Sequence, residues 1–292
     1  MSGKEDKVIY ISSSCAIEPA ICAAVEKIAL NGYKNIELSG GAEYYDGLLD
    51  DLIKIKEKYG LEYLCHNYFP PEKEGIVVNI ASLNDKIRNR SIAFLLRALD
   101  ACEKLGSRKF GFHAGYYMDI DKNEFGRKIS GKGAMRKKES TERFCDGYKT
   151  LLKHSAGSRI DLYVENNVYS YDNYQIYGSD TPLMLVTYED FIRLSELINF
   201  KLLLDIGHLK VSSASLGLDL SSQLEQMLHI SDYVHVSDND GRSDQHKSLI
   251  QSFTGINGTA DILSGKTITI EVCEEMKKVK ATFEICKRMG AK

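Results

Sequence analysis

The sequence lacks the features of a membrane or secreted protein. No stretch approaches the run of about 18 apolar residues that a membrane span requires. The first residues, MSGKEDKVIYISSS, begin polar and enter only a short apolar run, without the longer apolar stretch and small-residue cleavage site of a secretory signal. We therefore expect a soluble, cytoplasmic protein with no membrane partner.

Paired cysteines are also missing. The chain has seven cysteines, an odd number, and none of them forms a C-x-x-C pair. This pattern argues against both a disulfide framework and a zinc site built from thiolates, so we expect reduced and mostly buried thiols. The cysteines are Cys15, Cys22, Cys65, Cys102, Cys145, Cys273 and Cys286.

An excess of positive charge and a phosphate-binding loop are absent as well. The formal net charge is −3, so the chain as a whole does not attract nucleic acid, and a nucleic-acid partner would need a local basic patch. Neither a G-x-G-x-x-G nor a Walker sequence is present. Their absence disfavours an open, doubly wound sheet that binds a nucleotide.

What the sequence does contain is a regular alternation of short β-branched or aromatic runs with segments of helical apolar spacing. This alternation is typical of parallel strands joined by crossover helices. Eight such runs in 292 residues predict an α/β fold, a (β/α)₈ TIM barrel that forms a single domain over residues 1–292, with the open sheet as the structural alternative. The predicted strands are Lys7–Ser12, Asn35–Leu38, Leu61–His66, Lys109–His113, Asp161–Glu165, Lys201–Asp205, Tyr233–Ser237 and Thr267–Val272.

Two long polar insertions follow the fourth and fifth predicted strands, at residues 114–141 and 166–182. Both would lie at the carboxyl-terminal face of the barrel, where loops shape the substrate pocket. The second insertion is rich in tyrosine, which suits stacking on a sugar or base and equally suits packing of the loop on itself. These residues are Tyr169, Tyr171, Tyr174 and Tyr177.

The first insertion is basic and would bring positive charge toward an anionic substrate, although a solvated surface loop is the alternative interpretation. Lys132, Lys137 and Lys138 add to this charge. The candidate substrate contacts are Arg127, Lys128 and Arg136 from this insertion, together with Tyr68 and Asn167 beside predicted strand ends.

Histidine, aspartate and glutamate recur at the ends of six successive predicted strands, from the third to the eighth. Barrel enzymes take their catalytic residues from these positions, and several carboxylates buried at one barrel mouth without cations would be electrostatically prohibitive. Imidazole nitrogen and carboxylate oxygen suit zinc, with manganese or magnesium as alternatives. The predicted metal ligands are His66, His113, Glu165, Asp205, His208, His235, Asp244, His246 and Glu271.

The order and context of these residues resemble the xylose-isomerase-like barrel superfamily, which includes sugar-phosphate isomerases and epimerases and the apurinic endonuclease IV family. The segment NIASLNDKIRNRSIAFLLRALDACEKLGSRKFGFHAG is similar to the endonuclease IV helix between the first two histidine ligands, and LLLDIGH is similar to its Asp-x-x-His segment. That resemblance implies a trinuclear site on all nine predicted ligands. Members that resemble tagatose epimerases imply a single metal on Glu165, Asp205, His235 and Glu271. The segments NYFPPEKEGIVVN and VHVSDNDGRSDQH differ from endonuclease IV.

Two enzymatic hypotheses follow. In the main one, three zinc ions against four carboxylates leave a positive site that hydrolyses a phosphoester of a small sugar-phosphate substrate, with Glu165, Glu271 and His208 as catalytic residues. In the alternative, Glu165 and Glu271 exchange a proton with a sugar or sugar phosphate at a single metal, while His66 and His208 contact the substrate. A barrel that only binds a ligand is the non-enzymatic hypothesis.

Overall fold

Eight parallel strands close into a barrel in the order in which they occur along the chain. The computed structural model describes residues 7–124, 126–130, 135–249 and 263–289. The predicted (β/α)₈ barrel is therefore confirmed, and the open sheet is excluded because β8 pairs with β1. The strands are β1 Val8–Ser12, β2 Asn35–Leu38, β3 Glu62–His66, β4 Lys109–His113, β5 Asp161–Glu165, β6 Lys201–Asp205, β7 Tyr233–Val236 and β8 Thr267–Ile270.

Helices follow the strands and surround the barrel. The described helices are α1 Ile21–Leu30, α2 Leu48–Tyr59, α3 Asp85–Leu105, α4 Lys137–Ser155, α5 Tyr171–Tyr177, α6 Tyr188–Ser195, α7 Ile206–Leu216, α8 Leu220–Ile230 and α9 Met276–Arg288, and a short 3₁₀ helix spans Ser13–Ala16. Within the described residues, none of these helices combines the length and apolarity that crossing a membrane would require.

Helix boundaries follow local capping chemistry. The longest helix, α3, begins after Asn84, whose side chain accepts a hydrogen bond from the Lys86 amide, and it ends at Gly106, which has a φ of 71° that glycine adopts without steric cost. The helix α7 begins immediately after β6, because the Asp205 carboxylate accepts a hydrogen bond of 2.7 Å from the His208 amide. This cap places two predicted metal ligands in one turn.

The interior of the barrel divides into an apolar floor and a polar mouth. Leu64, Tyr163, Leu203 and Tyr233 pack together at the floor, and the Lys109 ammonium lies 4.4 Å from the centre of the Tyr163 ring. The main apolar core lies between the strands and the surrounding helices. The carboxylates and histidines of the predicted metal site lie above this layer, at the carboxyl ends of the strands.

The two insertions pack against each other beside the barrel mouth. Tyr116 forms an antiparallel bridge with Leu183, and both belong to a small second core with Ile129 and Tyr169. Tyr169 is fully buried, and its hydroxyl donates a hydrogen bond of 2.7 Å to the carbonyl of Gly178. Tyr169 therefore packs its own loop, whereas Tyr171 is 37% exposed.

Candidate metal centre

The nine predicted ligands all lie at the carboxyl-terminal mouth of the barrel. Four of them, His66, His113, Glu165 and Asp205, are the last residues of β3, β4, β5 and β6. His235 lies within β7, Glu271 directly follows β8, and His208 lies in the first turn of α7, while Asp244 and His246 belong to the loop after β7. Because parallel strands end at one rim, residues distant in sequence meet there.

Three carboxylates surround the Nδ1 atom of His235, and with this nitrogen they form an inner group of four donors. This nitrogen lies 3.3 Å from Oε2 of Glu271, 3.5 Å from Oε1 of Glu165 and 4.0 Å from Oδ2 of Asp205. Ligands held about 2.0–2.2 Å from one zinc ion are separated by about 3–4 Å, so these spacings fit a single cation. The four side chains are buried.

Unpaired polar atoms support the same interpretation. Within the described residues, Oε1 of Glu165, Oδ2 of Asp205 and Nδ1 of His235 are buried and have no hydrogen-bond partner. Buried polar atoms are normally paired, because an unpaired one loses its hydration without compensation. Both carboxylate oxygens lie within 4.0 Å of Nδ1 of His235, so a cation bound among them would satisfy all three atoms, and the residues present fit a metal ion.

Two further groups of donors adjoin the inner one. The Oε2 atom of Glu165 lies 2.7 Å from Nε2 of His66 and 3.0 Å from Nδ1 of His113. On the other side, Oδ2 of Asp244 lies 3.3 Å from Nε2 of His208 and 2.9 Å from Nε2 of His246. The Nδ1 atom of His208 is 2.9 Å from the Asn166 carbonyl, to which it can donate only when it carries the proton. This arrangement leaves Nε2 of His208 as the nitrogen facing the site.

Glu37 is a member of the centre that the sequence analysis missed. It is fully buried in β2, and its Oε2 atom lies 3.1 Å from Nε2 of His235. Glu37, His66, His235 and Glu271 form one of the groups whose possible ligand atoms all lie within 4.8 Å of one another. The available signal was a single glutamate inside the short apolar strand NIEL. A carboxylate in such a strand is rarely buried without a partner.

The pKa values of His235 and His246 lie above the usual range of histidine. Burial alone would lower the pKa of His235, but the carboxylates of Glu37 and Glu271 outweigh burial and hold this pKa well above its usual range. Burial also opposes the charged form of His246, yet the hydrogen bond and charge of Asp244 raise its pKa to about 9. In the metal-free protein, protonated imidazoles therefore partly neutralise the buried carboxylates.

The pKa values of two carboxylates of the centre shift in opposite directions, because their neighbours differ. Burial raises the pKa of Asp205 to about 6, although the charge of His208 acts against this. Burial also acts to raise the pKa of Glu271, but the positive charge of His235, 3.3 Å away, lowers it to about 2. Near neutral pH both groups are therefore carboxylates that can accept a cation.

A cavity of about 460 Å³ opens above the centre. Glu271 and the two outer groups of donors reach its wall, whereas Glu165, Asp205 and His235 lie behind them. The predicted ligands that line the cavity are His66, His113, His208, Asp244, His246 and Glu271. The volume is within the range of small-molecule sites.

The predicted substrate contacts separate into two sets. Arg127, Lys128, Tyr68 and Asn167 line the cavity. Arg136 does not line it, and its exposed guanidinium pairs with Glu139 at 3.0 Å on the first turn of α4. The positive charge of the insertion is therefore only partly directed at the cavity, and Lys132 lies outside the described residues.

The side-chain amides of Asn167 and Asn67, which line the cavity, differ in their hydrogen bonding. The Asn167 side chain donates to the carbonyls of Ala114 and Met184 at 2.9 and 2.8 Å, which ties the two insertions to the barrel. Asn67 also lines the cavity and is only 4% exposed, but within the described residues neither of its amide atoms has a hydrogen-bond partner. Asn67 was not among the predicted site residues, since its unpaired state is visible only in three dimensions.

The chain belongs to the family described as Xylose isomerase-like TIM barrel, which matches residues 25–289. No curated protein matches its sequence. Among solved structures, a D-tagatose 3-epimerase-like protein superposes with a TM-score of 0.70 at 19% identity, over 97% of this chain and 96% of that one. An L-ribulose 3-epimerase superposes with a TM-score of 0.64 at 16% identity, over 97% of this chain and 92% of that one. A D-allulose 3-epimerase from Methylomonas sp. in complex with D-allulose superposes with a TM-score of 0.62 at 14% identity, over 98% of this chain and 94% of that one. At these identities the likeness establishes the fold.

These findings contradict our main hypothesis of a phosphoester hydrolase, because the neighbouring structures are named as sugar epimerases. The error also has a physical basis in Glu37. That buried carboxylate adds a fifth negative charge to the four counted from the sequence, so even three divalent cations would leave one net positive charge instead of two. The site is therefore less suited to a phosphate than the sequence alone suggested.

Proposed function

We propose that this protein is a metal-dependent epimerase or isomerase of a small, uncharged ketose. The observation that carries the proposal is that the carboxylates of Glu165, Asp205 and Glu271 lie within 4.0 Å of Nδ1 of His235, beneath a cavity of about 460 Å³. The epimerase names of the structural neighbours support it.

These four residues would hold the ion, for which their nitrogen and oxygen donors favour zinc or manganese over softer metals. A bound divalent cation would supply positive charge that polarises the carbonyl and hydroxyl oxygens of the sugar. The reaction requires one such ion. Elemental analysis of the purified protein distinguishes this single ion from the three zinc ions predicted from the sequence. Three ions per chain would make His66, His113, His208, Asp244 and His246 ligands and would exclude their histidines from proton transfer and substrate contact.

Two acid–base groups are needed to move a proton between the faces of a carbon beside a carbonyl. Glu271 reaches the cavity wall directly. Glu165 is fully buried, but its Oε2 atom lies within hydrogen-bond distance of His66 and His113, which both line the cavity. We therefore assign Glu271 to one face of the sugar, and Glu165 acting through these histidines to the other.

The comparisons and the cavity lining favour an uncharged substrate. The structural neighbours are named for ketoses without a phosphate. The polar cavity-lining side chains offer hydrogen bonds that suit sugar hydroxyls. His208 is assigned to contact the substrate, since its Nε2 atom faces the site.

Exchange of carbon-bound protons with solvent tests this function. D-Tagatose, D-allulose and L-ribulose are incubated in deuterium oxide with the zinc- or manganese-loaded protein, and NMR follows both deuterium incorporation and new sugar products. We expect incorporation next to the carbonyl, and its loss of at least about 100-fold in Glu271→Gln, consistent with removal of an acid–base group. Glu275→Gln is the matched control, because Glu275 is exposed and pairs with Lys277.

The proposal is rejected if a metal-loaded protein produces neither exchange nor product with any of the three ketoses. Equal exchange in Glu271→Gln and in the wild type would reject only the role of Glu271.

A further inference from the structure

Glu37 lies outside the group of four donors but directly beneath it. The side chain is fully buried inside the barrel, and its Oε2 atom meets both Nε2 of His235 at 3.1 Å and Oγ1 of Thr269 at 2.9 Å. A carboxylate in an apolar barrel interior is costly unless hydrogen bonds compensate for the lost water. The other oxygen, Oε1, is buried without a hydrogen-bond partner among the described residues, so the two contacts of Oε2 are the ones that hold the carboxylate beside His235.

The two nitrogens of His235 face opposite surroundings. Nε2 faces Glu37, whereas Nδ1 faces Glu165, Asp205 and Glu271. A neutral imidazole has one N–H donor and one lone pair, and an ionised carboxylate only accepts. The hydrogen bond to Glu37 therefore places the N–H on Nε2 and leaves the lone pair of Nδ1 directed at the inner group of donors.

We propose that Glu37 is a positioning residue that fixes the tautomer and orientation of His235 for metal binding. It acts only through His235 and touches neither substrate nor ion. A carboxylate that accepts the second N–H of a ligating histidine also makes the imidazole a stronger donor, and removal of such partners typically reduces metal affinity by about 10 to 100-fold. The inference rests on the metal site of the proposed function and is independent of which sugar reacts.

Thr269 keeps Glu37 in this role. The Thr269 hydroxyl donates a hydrogen bond to the Glu37 oxygen that faces His235. Thr269 lies on β8, two positions before Glu271. The strands β2, β7 and β8 thus contribute a continuous chain of contacts from Thr269 through Glu37 to His235. Loss of the threonine hydroxyl leaves the carboxylate in place, so its effect on metal affinity is smaller than that of losing Glu37.

Zinc affinity measured without substrate tests the inference. The dissociation constant for zinc is obtained at pH 7 by competition with a chromogenic chelator for the wild type and for Glu37→Gln, Glu37→Ala and Thr269→Val. We expect increases of about 10-fold for Glu37→Gln, which keeps a neutral acceptor, and about 100-fold for Glu37→Ala, with a smaller increase for Thr269→Val. Glu62→Gln is the charge control, because Glu62 is an exposed carboxylate at the opposite end of the barrel, and it should leave the constant unchanged.

A second measurement does not depend on the variants folding. Nitrogen-15 NMR of histidine-labelled, zinc-loaded wild type should show His235 protonated at Nε2 and ligated at Nδ1. Protonation at Nδ1 overturns the inference, as does a zinc constant for Glu37→Ala within twofold of the wild type. If the wild type itself fails to bind zinc, the proposed metal site is wrong, which is a different outcome from normal zinc binding that is insensitive to Glu37.

Discussion

Binding of zinc to the metal-free protein should release protons and strengthen as the pH rises. The lone pair of His235 Nδ1 must be free to bind an ion, yet the nearby carboxylates hold the pKa of His235 well above its usual range. At pH 7 the imidazole therefore carries a proton that must leave when the ion binds. Glu271, with a pKa lowered to about 2, has no proton to lose.

The magnitude follows from which groups are protonated in each pH interval. Above pH 6, release of about one proton, from His235, changes the zinc dissociation constant about tenfold per pH unit, or about 1.4 kcal/mol. Below the Asp205 pKa of about 6, a second proton must also leave, so the slope doubles. Because a proton bound in the free state competes with the ion, affinity rises with pH. We expect it to be about a thousandfold weaker at pH 5 than at pH 7.

Isothermal titration calorimetry checks the proton count, since the observed enthalpy of zinc binding depends on the ionisation enthalpy of the buffer in proportion to the protons released. Chelator competition at each pH gives the dissociation constants. Two results would refute this reasoning: release of much less than one proton at pH 7, and a zinc dissociation constant that does not change between pH 6 and pH 7. They would show that zinc binding displaces no proton from His235. His235→Gln should abolish the release and serves as the internal control.

Three substitutions test other parts of the structure. Asn67→Leu removes a buried amide without partners, so the protein should be as stable as the wild type or more stable by about 1 kcal/mol, while the KM for a ketose rises; a clear fall in Tm would contradict this. Gly111→Ala places a methyl group 3.0 Å from Cδ2 of His66 and closer still to Leu203. Thermal unfolding should show that the free energy of unfolding falls by about 1–3 kcal/mol. An unchanged Tm would mean that the barrel adapts to the methyl group. Tyr169→Phe removes the hydrogen bond that closes the second insertion, so denaturant unfolding should show a loss of about 1 kcal/mol, and no loss would argue against that bond.

The local alternation of strand-forming and helix-forming segments was enough to predict the barrel. Strand boundaries differed only at the ends, for example at Glu271, which the sequence placed within the last strand and the structure places after it. Two residues beyond Glu271 the backbone contacts the loop that carries His246, because the His246 carbonyl accepts a hydrogen bond of 2.9 Å from the Cys273 amide. Where a strand ends therefore depends on a partner distant in sequence, which the periodicity of apolar residues does not reveal.

The positions of the predicted ligands at strand ends could also be derived from the sequence, because parallel strands that close into a barrel must end at one rim. The choice between two chemistries could not, since histidine, aspartate and glutamate serve hydrolysis and epimerisation alike. Arg136 shows the same limit, because only the folded insertion reveals that its guanidinium pairs with Glu139 on α4 and does not line the cavity.

Glu37 marks the boundary between what the sequence determined and what the tertiary structure decided. In sequence it is one acidic residue in a four-residue apolar strand, 198 positions from the histidine that it contacts. Closure of the barrel and the register of its strands bring the two together and turn one nitrogen of His235 toward a carboxylate and the other toward the inner donors. The sequence determined the fold and the kinds of ligand at its mouth, whereas the burial, the pairing and the net charge of the centre were decided only when eight strands enclosed it.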